Sequence, residues 1–153
     1  GTGPCPEFQP TGQLEQVTRN AVQMNTRAPL ILVAEDDRAS QLVARDRLKR
    51  LGYAVHVVSN GQAALDTVIE RGVEIALILM DCHMPVMDGY SATQAIRKTE
   101  CYSRRHIPIV AVTASSTKQE CVAAGMDDFI EKPYSNLDLI NVIGRWLDAS
   151  PAA

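Results

Sequence analysis

Beyond residue 28 the chain alternates short apolar runs with stretches of helical periodicity. Leu30–Ala34 (LILVA), Ala54–Ser59 (AVHVVS), Ile75–Met80 (IALILM), Ile107–Thr113 (IPIVAVT) and the shorter Asp128–Glu131 (DFIE) have strand length and β-branched content. Between them, Ala39–Leu51 puts Leu42, Val43, Leu48 and Leu51 on one predicted helical face, with Gly52 closing the helix. Gln62–Arg71 predicts a helix ended by Gly72, Tyr90–Lys98 a helix carrying Ala92, Ala95 and Ile96, and Lys118–Ala124 a short helix closed by Gly125. Ser135–Ala149 predicts the last helix, with Leu139, Ile140, Val142, Ile143, Trp146 and Leu147 as its buried stripe.

Five strand–helix repeats imply an α/β fold with a parallel sheet covered on both faces. The first, third and fourth strands are apolar throughout, as strands buried on both faces are. Right-handed crossovers then bring every strand C-terminus to one edge, where ligands bind in open α/β sheets.

Residues 1–28 read as a linker, because Gly and Pro dominate the first dozen positions. Within them, Leu14, Val17, Ala21 and Met24 have helical spacing, in a segment too short to stand alone as a helix in water. Residues 29–149 form the domain and 150–153 a short tail.

Composition narrows the classes. The 153 residues are 46% apolar, enough for one core, and the net charge of −3 argues against a nucleic-acid partner. No apolar run reaches the roughly 20 residues of a membrane span, and the N-terminus lacks the basic-then-apolar pattern of a secretory signal. Cys5, Cys82, Cys101 and Cys121 form no C-x-x-C pair, which argues against structural zinc. They read as small apolar residues of a reducing, cytoplasmic compartment.

The chemistry collects at the predicted strand ends. The first strand runs into Glu35-Asp36-Asp37, the third into Asp81, the fourth into Thr113-Ala114-Ser115 and the fifth into Lys132-Pro133. Two carboxylates ~4 Å apart repel by ~4 kcal/mol at an effective dielectric near 20. A cluster of Glu35, Asp36 and Asp81 therefore calls for a proton or a cation. Hard oxygen donors suit Mg²⁺, or Mn²⁺. Lys132 and the Thr113 hydroxyl are groups that hold a phosphoryl oxygen. Together these residues describe phosphoryl transfer onto an aspartate.

Four segments, LILVAEDD (30–37), LILMDCHMPVMDG (77–89), IPIVAVTA (107–114) and AGMDDFIEKP (124–133), occur in an order and spacing that resemble the response-regulator receiver domain of two-component signalling. The wording around MDCHMPVMDGYSATQAIR resembles receivers of hybrid histidine kinases. The resemblance implies a flavodoxin-like (βα)5 three-layer sandwich with strand order 2-1-3-4-5. It implies Asp81 as phospho-acceptor and Glu35, Asp36, Asp81 and the His83 carbonyl around the metal. It assigns Lys132, Thr113 and the Ala114 amide to the phosphoryl group, Thr113 and Phe129 to a conformational switch, and His83 and Ser115 to phosphate lifetime. It implies a cis Lys132-Pro133 bond, a histidine kinase or histidine phosphotransfer (HPt) domain as donor, and a possible receiver dimer through the fourth helix, fifth strand and fifth helix.

Rival readings are an Mg²⁺-dependent phosphatase with an aspartyl nucleophile and a flavin or nucleotide binder. The first carries D-x-D at its first strand, where this chain has Glu35-Asp36-Asp37; the second needs a phosphate loop where EDDRAS is acidic. Asp37 is expected as a helix N-cap, Asp127 and Asp128 as loop acids, His56 as an outward strand residue, and His106 as loop charge.

Overall fold

The computed structural model describes residues 28–103 and 105–148. The predicted helix within residues 14–24 and the linker reading of the first residues lie outside that range. Five parallel strands, β1 (Leu30–Ala34), β2 (Ala54–Val58), β3 (Ile75–Asp81), β4 (Ile109–Thr113) and β5 (Asp128–Glu131), form one sheet in the order β2-β1-β3-β4-β5. The helices are α1 (Arg38–Arg50), α2 (Gly61–Arg71), α3 (Gly89–Ser103), α4 (Lys118–Ala124) and α5 (Asn136–Ile143). This is the flavodoxin-like α/β order that the resemblance implies. Among the described residues no helix is long and apolar enough to cross a membrane.

The period-two alternation of each strand divides the core into two layers. Ile31, Val33, Leu77, Leu79, Val110 and Val112 point to one face and pack with Ala44 and Leu48 of α1 and Leu139, Val142 and Ile143 of α5. Leu32, Ala34, Ile78, Met80, Ile109 and Ala111 point to the other and pack with residues of α2, α3 and α4. The strands apolar on both faces, β1, β3 and β4, occupy the centre of the sheet.

Polar side chains mark the helix starts. Asp37 accepts from the Ser40 N–H at 2.9 Å, and Asn60 from the Ala63 N–H at 2.8 Å. Thr117 with Glu120, and Ser135 with Asp138, close reciprocal capping boxes at α4 and α5. Asp37 is thus the N-cap expected, and its bonds to Ser40 hold its carboxyl below the usual carboxylate value.

Two helical readings need correction. On α1 the buried positions are Ala44 and Leu48, while Leu42 is 53% exposed and Val43 is exposed too. At 3.6 residues per turn, Leu42 lies on the far side of the helix from Ala44. On α5, Ile140 is exposed and Trp146 is 37% exposed rather than core. After Ile143 the helix widens into a π-turn over Gly144–Asp148, which takes Trp146 off the α-helical stripe. The Trp146 indole N–H donates to Asp128 at 2.9 Å instead. Gly72 ends α2 as expected, and with a φ of −54° it begins a 3₁₀ turn over Gly72–Glu74 that leads into β3.

The loop acids are also more than loop charge. Asp127 accepts from Arg97, from the Ile109 N–H and at 2.8 Å from His106. Asp128 opens β5 and accepts from Arg145 and Trp146. Burial works against its charge, but these bonds prevail and hold its carboxyl below the usual value.

Candidate functional site

Sheet register brings the strand-end residues together. Ala34 pairs with Met80, and Asp81 pairs with Val112, so the residues just beyond β1 and β4 flank Asp81. Glu35 and Asp81 are both 5% exposed, whereas Asp36 is exposed. One carboxylate oxygen from each of Glu35, Asp36 and Asp81 lies within 4.8 Å of the others. Lys132, one residue past β5, reaches back across the sheet edge. Its Nζ donates to Glu35 Oε1 at 2.9 Å and to Asp81 Oδ2 at 3.4 Å. The Lys132-Pro133 bond is cis, as expected.

The electrostatics follow from this crowding. Burial raises the Glu35 carboxyl above its ordinary value; the Lys132 bond and the Asp37 N–H oppose the rise, and the Asp81 charge adds to it. Burial also works against the Lys132 charge, but its bond to Glu35 and the charges of Asp81 and Glu35 outweigh that and hold the ammonium above its ordinary value. Three carboxylates with one ammonium leave the cluster negative. The donor set is all hard oxygen, which fits a small divalent cation such as Mg²⁺.

The loops complete the edge. The His83 N–H donates to Asp81 Oδ1 at 3.1 Å. A Cβ at Gly89 would overlap the Asp81 carbonyl oxygen, so Gly89 is required by close approach of backbone rather than by a left-handed φ. The left-handed position in this loop is Val86, with φ of 73°, an uncommon conformation for a β-branched residue. Thr113 is buried, and its Oγ1 accepts from the N–H groups of Ser115 at 3.1 Å and Ser116 at 2.8 Å. The hydroxyl is therefore engaged with its own loop. Ala114 and Ser115 are exposed beside it, and Phe129 is half-buried against the α2–α4 layer.

Sequence reasoning missed three partners of His83. Its Nε2 lies 3.2 Å from Ser116 Oγ and 3.5 Å from Ser115 Oγ, and its ring meets Tyr90 edge-on. The Tyr90 hydroxyl hydrogen-bonds Ser116. Contacts 26 and 33 residues apart leave no periodic signal in a sequence. Gln41 was missed as well; its side-chain amide donates to the Glu35 carbonyl at 2.6 Å. Beside the acids a cleft of about 480 Å³ runs between Val43 and Arg47 of α1 and Ala114, Lys132, Pro133 and Tyr134. His56 lies half-buried on β2, away from these groups. His106 is held between Glu100 and Asp127 at the other end of the sheet.

Comparison with known proteins agrees with this geometry. A family model described as the response regulator receiver domain matches residues 31–144. The hybrid signal transduction protein dokA of Dictyostelium discoideum is 37% identical over 130 residues, covering 85% of this chain and 8% of that protein. The sensor histidine kinase GacS of Pseudomonas protegens is 38% identical over 129 residues, covering 80% of this chain and 14% of that protein. The chain thus spans a small part of the length of these relatives. Among solved structures, the receiver domain of a Pseudomonas aeruginosa sensor histidine kinase, with a magnesium ion coordinated in its active-site cleft, superposes with a TM-score of 0.70 at 38% identity, over 78% of this chain and 97% of that one. A Saccharomyces cerevisiae receiver domain co-crystallised with a histidine phosphotransfer protein gives a TM-score of 0.69 at 28% identity, over 78% and 88% of the two chains. The chain belongs to the response regulator receiver domain family.

Proposed function

We propose that the chain takes a phosphoryl group from a phosphohistidine, on a histidine kinase or an HPt domain, onto Asp81. The observation that carries this reading is the buried Asp81 carboxylate, held between the Lys132 ammonium and the acids Glu35 and Asp36. An oxygen of Asp81 attacks phosphorus in line, and the P–N bond breaks with its electron pair returning to the donor imidazole. The product is an acyl phosphate. Lys132 is placed to orient the phosphoryl oxygens and to take up part of their charge. Glu35, Asp36, Asp81 and the His83 carbonyl would hold Mg²⁺, or Mn²⁺, which when bound offsets negative charge on the phosphoryl group.

The added group brings about −1.5 to −2 charge to the sheet edge. The Thr113 hydroxyl and Ala114 N–H are the nearby donors for it. The Thr113 oxygen already accepts from the Ser115 and Ser116 amides, so its own O–H is the donor for the phosphate, and the loop moves with it. Phe129 then turns into the space that Thr113 leaves, and the surface of α4, β5 and α5 changes. This is a two-state equilibrium biased by the modification. His83 and Ser115 flank the acceptor and set how water reaches the acyl phosphate. The exposed Val43 on α1, in the cleft that ends at Lys132, supplies apolar area on which a donor domain can sit next to Asp81. The relatives support a further reading, that the chain works as the receiver segment of a hybrid histidine kinase.

Intact-mass measurement after incubation with Mg²⁺ and acetyl phosphate tests the proposal. A single labile phosphoryl adduct is expected, absent with chelator and absent in Asp81→Asn. Turnover of small phosphoesters with no adduct would overturn it in favour of a phosphatase.

A further inference from the structure

Two sulfur atoms beside the site have no part in phosphoryl transfer. Cys82 follows Asp81 directly, and Cys121 lies on α4. Both are fully buried and free, and their Sγ atoms are 4.0 Å apart. They come from elements 39 residues apart in the chain, on the core layer beneath the α4 surface. Packing alone would be served by Ala or Val at either position.

We propose that Cys82 and Cys121 form a modification site, a dithiol that closes to an intramolecular disulfide on exposure to hydrogen peroxide. One sulfur attacks the O–O bond, giving a sulfenic acid and releasing water. The second sulfur displaces the hydroxyl from the first, forming the S–S bond and releasing a second water. Two thiols lose two electrons and two protons, and one peroxide becomes two waters. Because the second sulfur is already in contact, it intercepts the sulfenic acid before a second peroxide arrives.

A disulfide needs the sulfurs to close by about 2 Å. The helix that carries Cys121 has only seven residues, and its first three are exposed. So short a helix has little stability of its own and can make that shift. Burial pushes the Cys121 thiol up to about 12, which keeps that thiol slow to react while α4 is docked.

The consequence rests on the phosphoryl-transfer reading. The disulfide staples α4 to the residue beside the acceptor. α4 begins at the end of the loop whose amides hold the Thr113 hydroxyl. Oxidation therefore holds that loop in its resting form and slows phosphoryl uptake.

The test uses the full chain with Cys5→Ser and Cys101→Ser, so that two thiols remain. The folded protein is treated with hydrogen peroxide, quenched, denatured, alkylated and mapped by mass spectrometry without reduction. The expected result is joint loss of both thiols, with the Cys82 and Cys121 peptides linked and the link reversed by dithiothreitol. Cys82→Ser and Cys121→Ser each abolish the link. Uptake from acetyl phosphate by the oxidised protein falls about tenfold, a usual size for coupling between two sites, and recovers on reduction. Two thiols that still alkylate after peroxide, or a sulfinic acid on one cysteine with no link, overturn the site. A disulfide with unchanged uptake overturns its regulatory role. Peptide mapping needs no phosphorylation, so a reduced protein that takes up no phosphoryl group would count against the proposed function and leave the dithiol result standing.

Discussion

Two clusters of acids sit at opposite ends of the sheet, and they are satisfied differently. Beyond the N-terminal end of β4, Glu100 and Asp127 meet Arg97, whose guanidinium donates to them at 2.6 and 2.7 Å. The same guanidinium donates to the carbonyls of Gly125 and Ile107, and the two acids accept from the Ile107 and Ile109 N–H groups. His106 lies across both carboxylates. Two acids share one guanidinium there and are tied by backbone N–H groups as well, and the knot fastens α3 to the start of β4 and the approach to β5. At the other end, Glu35, Asp36 and Asp81 share one ammonium, and the burial of Glu35 raises its carboxyl. A forked cation makes a joint; an acid cluster short of positive charge makes a site that waits for more of it.

The sharpest way to break this contrast is to remove each cation. Arg97→Ala leaves two partly buried carboxylates uncompensated, and stability is expected to fall by about 3–5 kcal/mol in urea unfolding. Phosphoryl uptake per folded molecule should stay near wild type. Lys132→Ala should do the opposite. Uptake from acetyl phosphate should drop about 100- to 1000-fold, the usual loss when one oriented electrostatic group is removed from a reacting centre. Urea unfolding of that variant with Mg²⁺ present should keep a cooperative transition. An Arg97 variant with intact stability, or a Lys132 variant with intact uptake, would erase the distinction between joint and site.

A smaller effect separates the clusters by their appetite for cations. At Mg²⁺ tenfold above its dissociation constant, the folded state should gain about 1.4 kcal/mol by mass action. Thermal melts with Mg²⁺ and with chelator measure this gain. It should shrink in Asp36→Asn, which removes a donor at the negative cluster, and persist in Arg97→Ala. Equal loss in both variants would mean that the ion binds elsewhere.

The two ends were not equally legible in the sequence. Each candidate site residue stands where a predicted strand ends, so Asp81, Glu35-Asp36, Thr113 and Lys132 could be picked out once parallel strands were inferred. The central strands were legible because burial on both faces replaces apolar–polar alternation with an unbroken apolar run: Ile78, Leu79 and Met80 are all fully or almost fully buried. The Arg97 knot was not legible. Arg97 and Asp127 are 30 residues apart, and nothing in either local pattern distinguishes a tied acid from a solvated one. Leu42 and Val43 show the converse, since apolar identity on a helix does not say which way the residue faces. The Tyr90–Ser116–His83 contacts depend on how two loops fold over the edge, which hydrophobic periodicity does not encode.

The smallest expected effect lies at a third acid, Asp128, which the two clusters bracket in character. It carries one charge, accepts from Arg145 at 2.8 Å and from the Trp146 indole at 2.9 Å, and joins β5 to the π-turn after α5. Its folded pKa is lowered from 3.8 because the bonds from Trp146, Arg145 and its neighbour's N–H outweigh burial. A lowered carboxylate pKa means that the unfolded chain binds the proton more readily than the folded one. The stabilisation is therefore fully present above pH 3.8 and is lost as pH falls through the lower, folded value. Because Arg145 is largely exposed, the loss should be below about 1 kcal/mol. Urea unfolding of wild type and Asp128→Asn at a series of acidic pH values should show the difference between them narrowing as pH falls. A constant difference would mean that Asp128 acts through the shape of its hydrogen bonds and not through its charge.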